Sequence, residues 1–444
     1  MHTRRSFLKS TAWGGALGST VPAFLAATFD QLHGENRDRT VAPVTGKDGP
    51  VLVVIQLAGG NDGLNTVVPI GNDHYHRARP KLGLKTETVR KIRDDIGLHP
   101  ALGGFHELHD DGRLAIVQSV GYPNPNRSHF RSTDIWMTAT DSNHFSNVGW
   151  IGRYFDNACS GAPATVGVAV GRQSPLAFAA RHPKGIALEN PESFRFANAD
   201  ETSDGESMTT GTFYRRMNSG FEDVPLGDPA NTGGSVAVLD GSSPPLQRGS
   251  PLDFLERTSL EAQVSSDHIR AIADRVRNAS PYPASKLAND LRLIARLIAG
   301  GLGTRVYYVS QGGYDTHTNQ AGAHHRLLGT LGDAMLAFIK DLKVLGQSDR
   351  VLVMTFSEFG RRVGENGNAG TDHGAAAPLF LAGTRVRAGW HGKSPDLNPA
   401  SLQNGDIRHS TDFRSVYASV LEEWLGTDPK KILGTTFPAL QLVT

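Results

Sequence analysis

The chain has 444 residues, and its 45 Lys and Arg balance 44 Asp and Glu to a formal net charge of +1. Such a balance gives no electrostatic reason to expect nucleic acid or an anionic membrane as a partner. The single cysteine, Cys159, excludes an intrachain disulfide.

Residues 3–9 read TRRSFLK, a twin arginine followed by Phe7, Leu8 and Lys9, and a Gly- and Ala-rich, moderately apolar stretch runs on to Ala27. A charged start, a short apolar region and small residues near Ala26 and Ala27 form the pattern of a processed export signal. The stretch is too short and too interrupted to span a bilayer stably, so no transmembrane helix is expected in the mature chain. The expectation is a twin-arginine signal over 1–27, a polar leader over 28–49, and an α/β domain over 50–444 that is periplasmic or extracellular and exported already folded.

VLVVIQL at 51–57 is a continuous apolar run that stops at AGGNDG, as suits a buried parallel strand. A helix is predicted from Pro100 to about His109, then a strand LAIVQSV at 114–120 and a helix over Ser132 to Thr138. Short strand-like pieces occupy 164–190. An insertion is expected over about 160–250, and from roughly Asn198 to Ser250 it turns to Gly, Ser, Thr, Asp and Pro, read as a long surface segment. Helical patterns follow over 251–278 and 285–299, the second with Leu287, Leu291, Ile294 and Ile298 on one face.

A strand at 304–310 leads through GGYDTH to a helix striped by Leu327, Leu331, Met335, Phe338 and Leu342. Strands at 351–357 and 378–382 and a terminal helix over 411–425 complete the pattern. Strands alternating with helices predict an α/β fold with a doubly wound, largely parallel central sheet and helices on both faces.

In such sheets ligands sit at the C-terminal ends of the strands. The runs VYYVSQ and VLVMTF stop there at carboxylate, imidazole and glycine, and GTDHG lies at 370–374. Asp315, His317, Glu358, Asp372 and His373 are therefore expected around one crevice. Divalent metals take carboxylate oxygens, and zinc also takes imidazole nitrogen.

PVLVVIQLAGGNDGLN, the segment ending GYPNPNRSHFRSTDIWMTAT, VYYVSQGGYDTHTNQ, VLVMTFSEFG and GTDHGAAAPLFLAG together resemble the alkaline phosphatase/sulfatase superfamily. With the twin-arginine leader, the chain resembles the exported bacterial family called domain of unknown function 1501, grouped within it. The resemblance implies one or two divalent ions (Zn, Mg, Ca or Mn) held by Asp62, Asp315, His317, Glu358, Asp372 and His373. It makes Ser128 the nucleophile, or a helix-capping serine, with Arg127 and Arg131 placed to grip an anionic ester. Phe359 stands where the superfamily has an imidazole, and no formylglycine signature surrounds Ser128. The implied function is an exported metal-dependent hydrolase of a phosphate or related ester, its substrate a small anionic ester or a glycan. The alternative is a non-catalytic exported binding or assembly protein with a degenerate metal site. Members of the family often occur beside another exported family, which implies a co-exported protein partner.

Overall fold

The structure, a computed structural model, describes residues 48–182, 185–189 and 269–444. The expected signal peptide, nearly all of the polar leader, the Gly/Ser-rich stretch and most of the helix predicted over 251–278 lie outside the described residues. What is described belongs to one unit, 38–191 with 269–444.

Nine strands make the main sheet among the described residues. β1 (Val51–Leu57) is central, with every residue buried. Helix α1 (Gly103–Asp110) precedes β2 (Leu114–Gly121), and α2 (His129–Thr138) and α3 (Trp150–Ala158) follow it. β3 (Gly167–Val170) and β4 (Ile186–Leu188) come next, so part of the stretch expected as an insertion extends the sheet instead. After α4 (Lys286–Ala299) come β5 (Val306–Gln311), α5 (Gln320–Val344), β6 (Val351–Phe356) and β7 (Ala377–Ala382). β8 (Gly389–His391), β9 (Thr411–Asp412) and α6 (Phe413–Ser419) close the unit.

The order across the sheet is β8-β2-β7-β6-β1-β5-β3-β4, with β9 added beside β2. Every pairing is parallel except those of β7, which runs against both β6 and β2. The largely parallel sheet expected from the sequence is thus present, made mixed by the antiparallel β7.

Its strands read as unbroken apolar runs because both faces are covered. On one face Leu52, Val54, Val306, Tyr308, Leu352 and Met354 pack in a core with Trp136, Trp150, Tyr154 and Tyr417 from α2, α3 and α6. On the other, α1, α4 and α5 pack together, and α1 and α4 reach the sheet. The stripe predicted on α5 is buried at Leu331, Met335, Phe338 and Leu342, whereas Leu327 is only partly covered.

The sheet ends on tight glycines. Gly59 has φ +120, and a Cβ there would stand 2.4 Å from the Asp315 amide nitrogen. Gly60 has φ +75 and lies against the Phe359 ring. Backbone of this hand and closeness admits glycine alone. The two residues let the loop after β1 touch the loop after β5, which brings the strand ends into one site.

Candidate metal centre

Three imidazoles and a carboxylate converge at the C-terminal edge of β1, β5 and β6. The ligand atoms of His129, Asp315 and His373 lie within 4.8 Å of one another, the arrangement a single metal ion requires. Around Asp315 Oδ1 stand His129 Nε2 at 3.5 Å, His317 Nε2 at 3.0 Å and His373 Nε2 at 3.2 Å. Asp315 and His317 remain about half exposed, so the cluster opens to solvent.

The outer nitrogens explain why the inner ones are available. His373 Nδ1 lies 2.8 Å from the Arg127 carbonyl, which only accepts, so the proton sits on Nδ1 and Nε2 keeps its lone pair. His129 Nδ1 donates to Glu358 Oε1 at 2.8 Å. Its Nε2 is buried and makes no hydrogen bond. His317 Nδ1 faces Asp372 Oδ1 at 3.4 Å. A carboxylate or carbonyl behind each ring is the usual support of a metal-binding imidazole.

His317 Nε2 and His373 Nε2 are 2.9 Å apart. Two nitrogens at that separation need a proton or a cation between them. Partial burial opposes charge on Asp315, but the hydrogen bond and charge of the Arg361 guanidinium outweigh it and hold its carboxyl at about 2. Burial also pushes His373 below its ordinary value, against the pull of the Arg127 carbonyl and Asp315. Both groups thus favour their metal-binding forms. The donor set and the unbonded His129 nitrogen fit a divalent cation that accepts mixed nitrogen and oxygen ligands.

Arg361 is buried and fixes this edge from below. Its guanidinium donates to the carbonyls of Gly60, Thr371 and Tyr314, at 2.7, 2.7 and 3.0 Å, and to Asp315 Oδ1 at 2.8 Å. Phe359 packs its ring 4.9 Å from His129 and 4.6 Å from His373. It packs against both rings, which also meet each other edge-on at 4.5 Å, and offers no donor atom itself.

The remaining predicted residues take other places. Glu358 is buried and accepts from the Gly59 amide and from His129, so it sits behind the His129 ring. Asp62 is fully buried and paired through Oδ2 with Arg79 at 2.6 Å, its Oδ1 makes no hydrogen bond, and it is not among the three converging groups. Gln320 Nε2 also donates to Asp62 Oδ2. Asp372 is half exposed and bonded to Asn366. Ser128 is the exposed N-cap residue of α2, and its hydroxyl makes no capping bond.

Neither predicted anion-gripping arginine is held in reserve. Arg127 pairs with Asp406 through Nε and one terminal nitrogen. Arg131 donates to the carbonyls of Ser142 and His144, and its guanidinium stacks 3.9 Å from the Phe145 ring. The helix predicted from Ser132 begins three residues earlier, because Ser132 is buried and donates to the Glu358 carbonyl rather than capping. That earlier start is what puts His129 in the site. Sequence reasoning passed over His129 although it stands next to Ser128, at the turn from β2 into a helix.

Residues 251–437 match the model of a family described as "Protein of unknown function (DUF1501)". Over that stretch the chain is similar to DUF1501. The match takes in the loops carrying Asp315, Glu358 and His373 but leaves His129 outside it. No curated protein matches the chain.

Among solved structures, similar ones include the lipoteichoic acid synthase LtaP from Listeria monocytogenes, at 9% identity and a TM-score of 0.34, covering 86% of this chain and 79% of that one. The C-terminal periplasmic domain of EcEptC from Escherichia coli, in complex with Zn, has 10% identity and a TM-score of 0.30, covering 77% and 75%. The phosphonate monoester hydrolase SpPMH from Silicibacter pomeroyi has 11% identity and a TM-score of 0.33, covering 88% and 77%. Likeness at this level says nothing about what the present chain acts on.

Proposed function

We propose that the chain is a metal-dependent hydrolase of a phosphate or related ester, exported by the twin-arginine route, with one divalent ion per chain. The observation that carries this reading is the convergence of His129, Asp315 and His373, with each histidine's second nitrogen already engaged. His317 stands beside them within reach of Asp315 and His373. A divalent ion bound here would polarise an ester oxygen and lower the pKa of a bound water or hydroxyl.

The chain's own residues supply the rest. Glu358 and the Arg127 carbonyl orient two imidazoles, Asp315 carries the anionic charge that draws a cation, and Arg361 keeps Asp315 in place. Ser128, exposed at the start of the helix that bears His129, is the candidate nucleophile, and a water is the other.

A second reading, a non-catalytic exported binding or assembly protein, draws on Arg127 and Arg131. Both are committed to protein partners, which leaves the anion grip expected of an esterase unfilled. Metal content and turnover separate the two. The purified chain should hold about one equivalent of zinc or manganese after reconstitution, and should cleave at least one class among aryl phosphates, phosphodiesters and aryl sulfates. Turnover should vanish in Asp315→Asn, and in Ser128→Ala if the serine rather than water attacks. A full metal site with no turnover across the panel would favour the second reading, and a folded chain that takes up no metal would end the first and leave the second.

Glu358 offers a finer check. Glu358→Ala removes the carboxylate behind His129 and should weaken zinc affinity by about 10–100-fold without removing a ligand. Competition titration against a chelator reads this directly, and affinity unchanged from the parent would contradict the assignment.

A further inference from the structure

Gln320 opens α5 and is fully buried, beneath the metal-binding loops rather than in them. Its side-chain amide nitrogen donates to Asp62 Oδ2. Its carbonyl oxygen accepts from two hydroxyls, Thr316 Oγ1 at 3.1 Å and Thr371 Oγ1 at 2.6 Å. Thr316 lies between Asp315 and His317, and Thr371 lies immediately before Asp372 and His373. One amide thus joins the loop after β5 to the loop after β6, and Asp62 in the loop after β1 holds that amide.

All four residues are buried to within a few per cent. A carbonyl oxygen has two lone pairs, and here each takes one threonine. The donor side is directed by a carboxylate that Arg79 fixes in turn. The orientation of the Gln320 amide is therefore set, and with it the separation of the two loops. Asn319, the residue before it, adopts a left-handed conformation at φ 46, and the amides of Asn319 and Gln320 bond the carbonyls of Asn368 and Ala369. The chain turns sharply there to deliver the glutamine side chain under both loops.

We infer that Gln320 is a positioning residue that clamps the Asp315 and His373 loops at metal-binding distance, with Asp62 as its anchor and not as a ligand. The inference rests on the metal-centre reading for its consequence, though not for the clamp itself. It assigns a role to the carboxylate in the loop after β1 that the cluster leaves unused.

Two measurements on the full chain test it, in the parent and in Gln320→Met, Thr316→Val and Thr371→Val, which keep volume and remove hydrogen bonds. In the metal-free protein, backbone hydrogen exchange over 314–318 and 370–373 should quicken together by about tenfold in Gln320→Met. Cobalt affinity, read from its visible absorption, should fall by about 10–100-fold in all three variants. Thr316→Ser and Thr371→Ser, which keep the hydroxyl, should restore it. The clamp is overturned if both loops exchange as in the parent and cobalt binds equally well in Gln320→Met. It is overturned too if Asp62→Asn loses cobalt while the three variants keep it, since Asp62 would then be a ligand. Should the parent bind no metal at all, the metal-centre reading fails and the exchange arm alone decides the clamp.

Discussion

Replacing His129 with alanine is expected to weaken divalent-metal binding by well over about 100-fold, more than removal of any supporting group does. The change deletes the nitrogen that is buried, faces Asp315 and makes no hydrogen bond. It also strands Glu358, a buried carboxylate whose Oε1 would keep only the Gly59 amide. Chelator competition with zinc measures the first effect. Thermal denaturation without zinc measures the second, and with zinc it checks the first, because an ion that binds only the folded state raises the midpoint with the logarithm of its affinity. The parent should show a large zinc-dependent rise and His129→Ala almost none. An undiminished rise in His129→Ala would remove this histidine from the ligand set and leave Asp315, His317 and His373 to be tested in its place.

The second large effect concerns stability. Arg79→Met should cost about 3–5 kcal/mol, because it leaves Asp62 as an unpaired charge with no exposure to water. Arg79 also donates to the Val363 carbonyl at 2.8 Å, the Asn65 carbonyl oxygen at 2.8 Å and the Arg362 carbonyl at 2.9 Å, so several buried acceptors lose a donor at once. Removing both charges in Asp62→Leu with Arg79→Met should recover a good part of the loss, since a buried pair gains little over apolar packing. Urea unfolding of the three proteins measures this. A single Arg79→Met that costs less than about 1 kcal/mol would show that the pair is not what holds this edge together.

The pH dependence has a definite sign. Burial opposes the charge on Asp62, yet the Arg79 guanidinium outweighs it and holds the carboxyl below its ordinary value. A carboxylate depressed in the folded state contributes stability that is fully present above its unfolded value, about 3.9. That contribution is lost as pH falls through the lower, folded value. Acid unfolding below about pH 4 should therefore be steeper in the parent than in the double variant. Asp315, held at about 2, acts in the same direction.

Much of the fold could be read from residue patterns, and the reasons are local. The run at 51–57 has no polar face, so it had to be a strand covered on both sides. The spacing of Leu331, Met335, Phe338 and Leu342 admits only a helix with one buried stripe. The antiparallel β7 was not legible, because PLFLA reads the same in either direction. β3 and β4 were legible as short strand-like runs, but their place in the sheet comes only from pairing with β5 and with each other.

In the site, Asp315 and His373 were legible because each closes an apolar run or its return loop with an unmistakable metal-ligand type. Residue type and strand-end position, which the sequence carries by itself, thus determined the sheet, the edge where chemistry gathers and two of the converging side chains. Whether a given polar group at that edge faces the cluster or a protein partner was decided only by the tertiary structure. Asp62 and Glu358 have the same chemistry as Asp315, yet one is paired with Arg79 and the other stands behind His129. His129 enters for the converse reason: α2 starts at the residue after Ser128, which turns a side chain with no motif of its own toward Asp315. Such partners lie 17 to 229 residues away along the chain, where no local pattern reports them.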